Sequence, residues 1–136
     1  MIRPIVHDPM FLAQKSVLAT EADRQIIQDL LDTLRANLDR CVGMAANMIG
    51  EKKRIIAFCM DSMQIAMVNP EIIEQSGEYE AEESCLSLAG SRKAKRYQRI
   101  TVKYQDVLFM PRKRTFGGFP AQIIQHEIDP CNGVLI

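Results

Sequence analysis

A histidine and a glutamate stand side by side in segment 125–130, near the C-terminal end of the chain. A His-Glu pair on a helix is half of the HExxH pattern. In that pattern two histidines four residues apart reach one metal ion, and the glutamate handles a proton of the bound water. His126 and Glu127 match the first half, but Pro130 stands where the second histidine would be. The segment therefore indicates metal-dependent hydrolysis with one protein ligand missing.

Two further segments contain residues that could take part in such chemistry. Segment 83–87 reads Glu-Ser-Cys-Leu-Ser, and segment 42–50 reads Val-Gly-Met-Ala-Ala-Asn-Met-Ile-Gly. Each is a weak signal alone. A cysteine in a polar loop is more often a small buried residue than a ligand, and a Gly-Met-Ala-Ala stretch more often reflects tight packing than a binding site.

Two helices are predicted to position these segments. Thr20 and Asp23 have the spacing of a capping box, which predicts a helix over about 21–39. Its apolar residues recur at helical period and form a core stripe of Ile26, Ile27, Leu30, Leu31, Leu34 and Leu38. Pro120 suits a first helical turn. The second helix is therefore expected over about 120–129, ending before Asn132 and Gly133.

Several short strands are predicted between the two helices. The apolar and β-branched pattern predicts strands over 54–59, 64–68, 100–104 and 107–116, the last bent at Pro111, and a final short strand over 134–136. Segment 41–50 is expected to be a loop. The basic run Arg92, Lys93, Lys95 and Arg96 is interpreted as a solvated turn before a strand. Together these elements predict an α+β fold with antiparallel strands around a buried, motif-bearing helix.

Length and charge limit the classes of function. A chain of 136 residues suits one domain, 1–136. Its 17 basic and 17 acidic residues cancel, so neither nucleic acid nor membrane is expected as a partner. The first ten residues lack the apolar run of a signal peptide. A cytoplasmic location is therefore expected, with the four cysteines as reduced thiols or metal ligands.

In this order and spacing, the three segments resemble the peptide deformylases, metallo-hydrolases that remove the formyl group from the N-terminal methionine of new proteins. That family carries a GxGxAAxQ loop, an EGCLS loop and an HExDH helix near the C-terminus. The resemblance covers nearly the whole chain. It implies formyl-methionyl peptides or nascent chains as substrates and the ribosome as their source. The implied cofactor is a divalent metal, with iron(II) expected and zinc(II) or nickel(II) as alternatives.

The resemblance also assigns roles to individual residues. Cys85 and His126 match two of the three metal ligands, and Glu127 matches the general acid/base. The backbone N–H of Leu86 matches a donor to the developing oxyanion. The positions near the substrate backbone and the methionine pocket are Val42, Gly43 and Ile123.

The chain departs from the family pattern at several of its motif positions. Pro130 replaces the second ligand histidine, which is expected to weaken metal binding. Met48 replaces the glutamine that supports the oxyanion, and Ser84 replaces a glycine. His7, Cys131 after local unwinding, water or Glu127 are alternatives for the third ligand.

Three hypotheses remain open at this stage: a deformylase with low or absent activity, a non-catalytic homologue that keeps the peptide-binding groove, and a damaged copy. A working enzyme with a rebuilt site is the alternative to the first.

Overall fold

The protein is an α+β domain built on one five-stranded antiparallel sheet, as the sequence predicts. The computed structural model describes residues 1–135, and the strands follow each other in the sheet in chain order. The elements are α1 (Pro9–Leu12), α2 (Arg24–Ala36), β1 (Gly43–Ala45), β2 (Ile55–Met60), β3 (Met63–Cys85), β4 (Leu88–Gln105), β5 (Pro111–Gly117) and α3 (Gly118–Cys131). Short 3₁₀ turns precede α2 at Glu21–Asp23 and follow β1 at Ala46–Ile49.

The capping box at the start of the first long helix is confirmed. The Thr20 backbone N–H donates to the Asp23 carboxylate at 2.9 Å. The helix ends at Ala36, three residues before the expected end, where the Asn37 side chain donates to the Thr33 carbonyl at 2.7 Å. Leu38 consequently leaves the core stripe. Its side chain is 45% exposed and lies at the mouth of the cavity described below.

The sheet has an apolar core on each face. One core packs α2 against the sheet through Leu30, Leu34, Met44, Ile55 and Val68 among others. The other packs α3 through Ile56, Phe58, Ile100, Val102, Phe116, Ile124 and Ile128 among others. Each large buried side chain contributes about 1.5–3 kcal/mol. The second core holds α3 against β1 and β2, which places the His-Glu pair beside the Gly-Met-Ala-Ala segment.

The two middle strands are much longer than predicted. β3 continues beyond the apolar segment 64–68, and β4 begins before segment 100–104. The interpretation of the basic run as a solvated turn is wrong, because the run lies within β4 and pairs with acidic residues of β3. Lys93 and Lys95 contact Glu80 and Glu78 at 3.7 and 3.4 Å. This part of β3 and β4 forms an antiparallel hairpin. Its residues are mostly charged and have no apolar repeat, so the sequence pattern does not predict it as strand.

The remaining differences lie at the ends of elements. Segment 43–45 forms β1 instead of a loop and pairs with β2. The last strand of the sheet begins only at Pro111, because residues 107–110 form a turn in which Leu108 and Met110 donate to the Asp106 carboxylate. Residues 134 and 135 are not in a strand, and Ile136 lies outside the described residues. Within residues 1–135, no helix is long and apolar enough to cross a bilayer.

Candidate active site

A cavity of about 590 Å³ lies between α3, β1, the end of β3 and the segment after α2. All seven residues that the sequence analysis assigns to a site line this cavity: Val42, Gly43, Cys85, Leu86, Ile123, His126 and Glu127. They come from three separate segments, so the fold brings together the groups that the motifs single out. The cavity is also lined by residues to which the sequence analysis assigns no role, among them Arg40, Cys41 and Phe119.

His126 contacts the Glu83 carboxylate. Its Nδ1 is 2.8 Å from Oε1 of Glu83, and Cys85 lines the same cavity. Burial lowers the pKa of His126. The hydrogen bonds with Cys85 and Glu83, with the nearby charge of Glu127, outweigh burial and raise the pKa to about 10. These neighbours therefore favour the protonated form of the His126 ring.

The Glu83 carboxylate is held by a buried hydrogen-bond network. Nε of Arg96 donates to both of its oxygens at 3.1 and 3.0 Å, and Gln122 donates to Oε2 at 3.0 Å. Arg96 also bonds to Asp129 at 2.8 Å through Nη1. Burial raises the pKa of Glu83. The hydrogen bonds from His126, Arg96 and Gln122 outweigh burial and lower the pKa to about 2. An ionised Glu83 therefore fixes the orientation of the His126 ring.

Sequence reasoning gave this network no role. Glu83 belongs to a quoted motif, but Arg96 was assigned to a solvated turn. The strand register pairs Arg96 with Tyr79, so its side chain must reach four residues along β3 to meet Glu83. The available signal is the position of Glu83 two residues before Cys85. A carboxylate that is buried beside a motif residue requires a charged or hydrogen-bonding partner, which predicts a basic residue nearby.

Glu127 lines the cavity and is almost fully buried. Its side chain is 4% exposed, and Oε1 has no hydrogen-bond partner among residues 1–135. Burial raises the pKa of this carboxyl to about 7. A carboxyl with that pKa exchanges protons readily near neutral pH, which suits general acid/base chemistry.

Gly43 allows β1 to lie directly against α3. A Cβ atom at this position would lie 2.8 Å from Cγ2 of Ile123 and 2.9 Å from Oε2 of Glu127. Both distances are shorter than normal van der Waals contacts. The absence of a side chain is therefore what permits the close approach of the two elements beside the cavity.

We expect Gly43→Ala to lower the free energy of unfolding by about 1–3 kcal/mol, since an added methyl group overpacks a filled site. Urea denaturation checks this value. Gly117→Ala is the control, because its Cβ would lie at an ordinary 3.7 Å from the Gln98 carbonyl oxygen. Equal stabilities of the two variants would contradict the close-packing explanation.

Pro130 lies inside α3 and is buried. It lines a very small second cavity together with Cys85, Asn47 and Ser87. Asn47 Oδ1 and Ser87 Oγ are buried, and neither has a hydrogen-bond partner within the described chain. Position 130 therefore faces the side of Cys85, in surroundings that would suit a polar side chain better than a proline ring.

Neither of the other candidate ligand side chains reaches this place. His7 is exposed, and its Nδ1 is 2.9 Å from the Ser87 carbonyl oxygen. Cys131 is buried in the core beneath the sheet, where its thiol points to the Glu127 carbonyl at 3.7 Å. The helix continues through Pro130 to Cys131, so the local unwinding that would turn Cys131 toward the site does not occur.

The donor set does not fit a three-ligand metal centre. Cys85 and His126 supply a sulfur and a nitrogen, but Pro130 supplies no donor atom. In residues 1–135, no group of three or more His, Cys, Asp or Glu side chains is arranged to hold a metal ion. Catalytic metal centres use three protein ligands and one open position, an arrangement that residues 1–135 do not form.

Comparisons with known proteins agree with the fold and with the motif order. The family model described as polypeptide deformylase matches residues 2–136. A peptide deformylase of Clostridium beijerinckii is 56% identical over 136 residues and is covered completely, as is this chain. A peptide deformylase of Thermotoga maritima superposes with a TM-score of 0.88 at 30% identity, over 99% of this chain and 95% of that one.

A class I type b peptide deformylase of Acinetobacter baumannii, solved with Met-Ala-Ser bound, also superposes with a TM-score of 0.88. It is 28% identical, and the match covers 99% of this chain and 97% of that one. The family match extends over almost the whole chain and includes all three motif segments. The protein therefore belongs to the peptide deformylase family.

Proposed function

We propose that this protein is a peptide deformylase homologue that binds formyl-methionyl peptides and hydrolyses their formyl group weakly or not at all. The proposal rests on a contrast between the cavity, which contains every predicted site residue, and the metal ligands, of which one would be missing. All seven predicted residues line one cavity, whereas Pro130 has no atom that binds a metal. A non-catalytic homologue that retains the groove is the second candidate, supported by the same absence of a third ligand.

The residue roles in this proposal come from the family resemblance, and they are supported by the finding that all seven residues line one cavity. Val42 and Gly43 lie on the rim and β1 side, where an extended peptide would run, and Ile123 gives the cavity an apolar wall for a methionine side chain. The Leu86 backbone N–H would face a carbonyl oxygen of the substrate. Glu127 would hold or release a proton within the cavity. Cys85 and His126 would be the two remaining metal ligands.

Metal affinity in this proposal is low. Changes to residues that merely orient the ligands cost roughly 10- to 100-fold in metal affinity, and loss of a ligand should cost at least as much. Iron(II) is the metal we expect if one binds, with zinc(II) and nickel(II) as alternatives. The substrates would be nascent chains emerging from ribosomes in the cytoplasm.

Peptide binding is tested with Met-Ala-Ser, which occupies the Acinetobacter baumannii deformylase, and with its N-formyl form. We expect saturable binding of both peptides in isothermal titration. Val42→Glu should weaken binding at least tenfold, because it adds a charge to the rim of the cavity. Ile73→Glu is the matched control, since Ile73 lies outside the cavity and is similarly exposed, 40% against 42%.

The results separate the candidates. Binding without turnover supports the non-catalytic homologue, and slow turnover supports the weak enzyme. Equal binding by the Val42→Glu and Ile73→Glu proteins, or no binding by the unmodified protein, would contradict a retained groove.

A further inference from the structure

Gln122 places an amide in the part of the cavity wall that α3 forms. It lines the cavity together with Phe119 and Ile123, which are apolar. Positions 119, 122, 123 and 126 are three or four residues apart, so they share one face of the helix. Gln122 is partly exposed, whereas Gln125 on another face is buried and bonds to the Tyr97 backbone. The Gln122 amide therefore lies in the cavity beside the residue assigned to the methionine pocket.

One hydrogen bond fixes the direction of this amide. Nε2 of Gln122 donates to Oε2 of Glu83 at 3.0 Å, and Glu83 is itself held by Arg96. An amide nitrogen carries two protons, so one proton remains. Among residues 1–135, the Gln122 side chain has no other hydrogen-bond partner. A donor of fixed direction is therefore open to a ligand in the cavity.

We propose that Gln122 determines specificity for the first side chain of a bound peptide, by donating a hydrogen bond to an acceptor atom in that side chain. The inference rests on the proposed function, in which this side chain packs against Ile123. The sulfur of methionine is a weak acceptor. Methionine sulfoxide carries a polar oxygen on the same chain of atoms, and that oxygen is the stronger acceptor. The preferred ligands are therefore peptides that begin with methionine sulfoxide, followed by methionine.

An apolar side chain without an acceptor is the least favoured ligand. Norleucine has the length of methionine, but it would cover the Gln122 amide and remove water from it without supplying a partner. Leaving a polar group unpaired in this way is costly. A site that hydrogen-bonds its ligand rejects an analogue without the bonding group more strongly than an apolar pocket rejects a difference in size. A cavity of about 590 Å³ has room for one more oxygen atom.

The test compares three peptides on the unmodified protein by isothermal titration: Met-Ala-Ser, its sulfoxide, and the analogue with norleucine in the first position. The sulfoxide peptide should bind at least about threefold more tightly than the norleucine peptide, the factor that one neutral hydrogen bond contributes. Met-Ala-Ser should lie between them. Equal affinities, or tightest binding of the norleucine peptide, would overturn the proposal, and this comparison needs no variant.

Gln122→Met replaces the amide with an apolar side chain of the same length. The order of the three peptides should then reverse, because the sulfoxide oxygen would be buried without a donor. A purely structural role for Gln122 would lower all three affinities together and leave their order unchanged, which would also overturn the proposal. Gln64→Met is the matched control. Gln64 is partly buried and bonds to Arg35 at 3.2 Å, but it lies outside the cavity, so the order should not change.

The same titrations separate this inference from the proposed function. Binding of all three peptides with equal affinity would refute the role of Gln122 and leave the retained groove intact. No binding of any of them would refute the retained groove, and the role of Gln122 with it.

Discussion

Replacing Pro130 with histidine is expected to give one bound divalent metal per chain and deformylase activity at least about 100-fold above that of the unmodified protein. Histidine at position 130 lies four residues after His126, so the two rings share a helix face. Position 130 faces the same small cavity as Cys85. The replacement completes a set of three protein ligands with an open position. Elemental analysis and a deformylation assay with added iron(II), zinc(II) or nickel(II) measure the two effects.

Restored helix geometry contributes to the same result. A histidine backbone N–H can donate to the His126 carbonyl, a bond that proline cannot form. The new ring also has two buried oxygens close by that lack partners, Asn47 Oδ1 and Ser87 Oγ. One ring nitrogen can bind the metal while the other donates to one of these oxygens, as is usual for histidine ligands.

Pro130→Ala is the control for this experiment. It restores the backbone N–H without adding a donor atom, so its metal content and activity should stay at the level of the unmodified protein. If Pro130→His bound no metal, the assignment of position 130 would be wrong. Stoichiometric metal without turnover would instead move the defect to Met48 or Ser84, since Met48 provides no amide donor. Loss of an oxyanion donor costs roughly 100- to 1000-fold in other hydrolases.

The second large effect is expected on stability. Arg96→Ala should lower the free energy of unfolding by about 3–5 kcal/mol, because it removes the guanidinium partner of a buried carboxylate. The Arg96 and Glu83 side chains are 5% and 6% exposed, and Nη2 to Oε1 is 2.6 Å. A change of this size is a large part of the stability of a small domain. Urea denaturation at neutral pH measures it.

Lys95→Ala is the matched control in the adjacent position of β4. Lys95 also pairs with a glutamate of β3, Glu78, but both side chains are more than half exposed. Exposed ion pairs contribute about 0–1 kcal/mol, so this variant should be nearly as stable as the unmodified protein. A loss below about 1 kcal/mol for Arg96→Ala would contradict the interpretation that the network is a buried, fully paired unit.

The sequence predicted the elements that carry apolar periodicity. The helical stripe through Leu30 and Leu34 predicted α2, and the family resemblance of the three motif segments predicted residues that line one cavity. These features are local or depend on motif order, so they can be read from a single chain. The core on each face of the sheet then follows from burying the stripe and the apolar strands.

The parts that the sequence did not predict depend on pairing between distant segments. The long hairpin of β3 and β4 is held by alternating charges, which resemble a solvated loop in a pattern analysis. The role of Arg96 appears only when the hairpin brings it to Glu83, 13 residues away. The orientation of Cys131 was open because a proline inside a helix can either unwind it or be accommodated. Here the helix continues, and Cys131 packs in the core.

The metal content of the unmodified protein is the most direct test of the incomplete site. The protein is incubated anaerobically with iron(II), and in parallel with zinc(II) or nickel(II), then passed through a desalting column and analysed for metal per chain beside a deformylation assay with formyl-Met-Ala-Ser. We predict well under one metal ion per chain and turnover far below 1 s⁻¹, the low end of ordinary enzymes. One metal ion retained per chain with turnover of about 1 s⁻¹ or more would contradict the account.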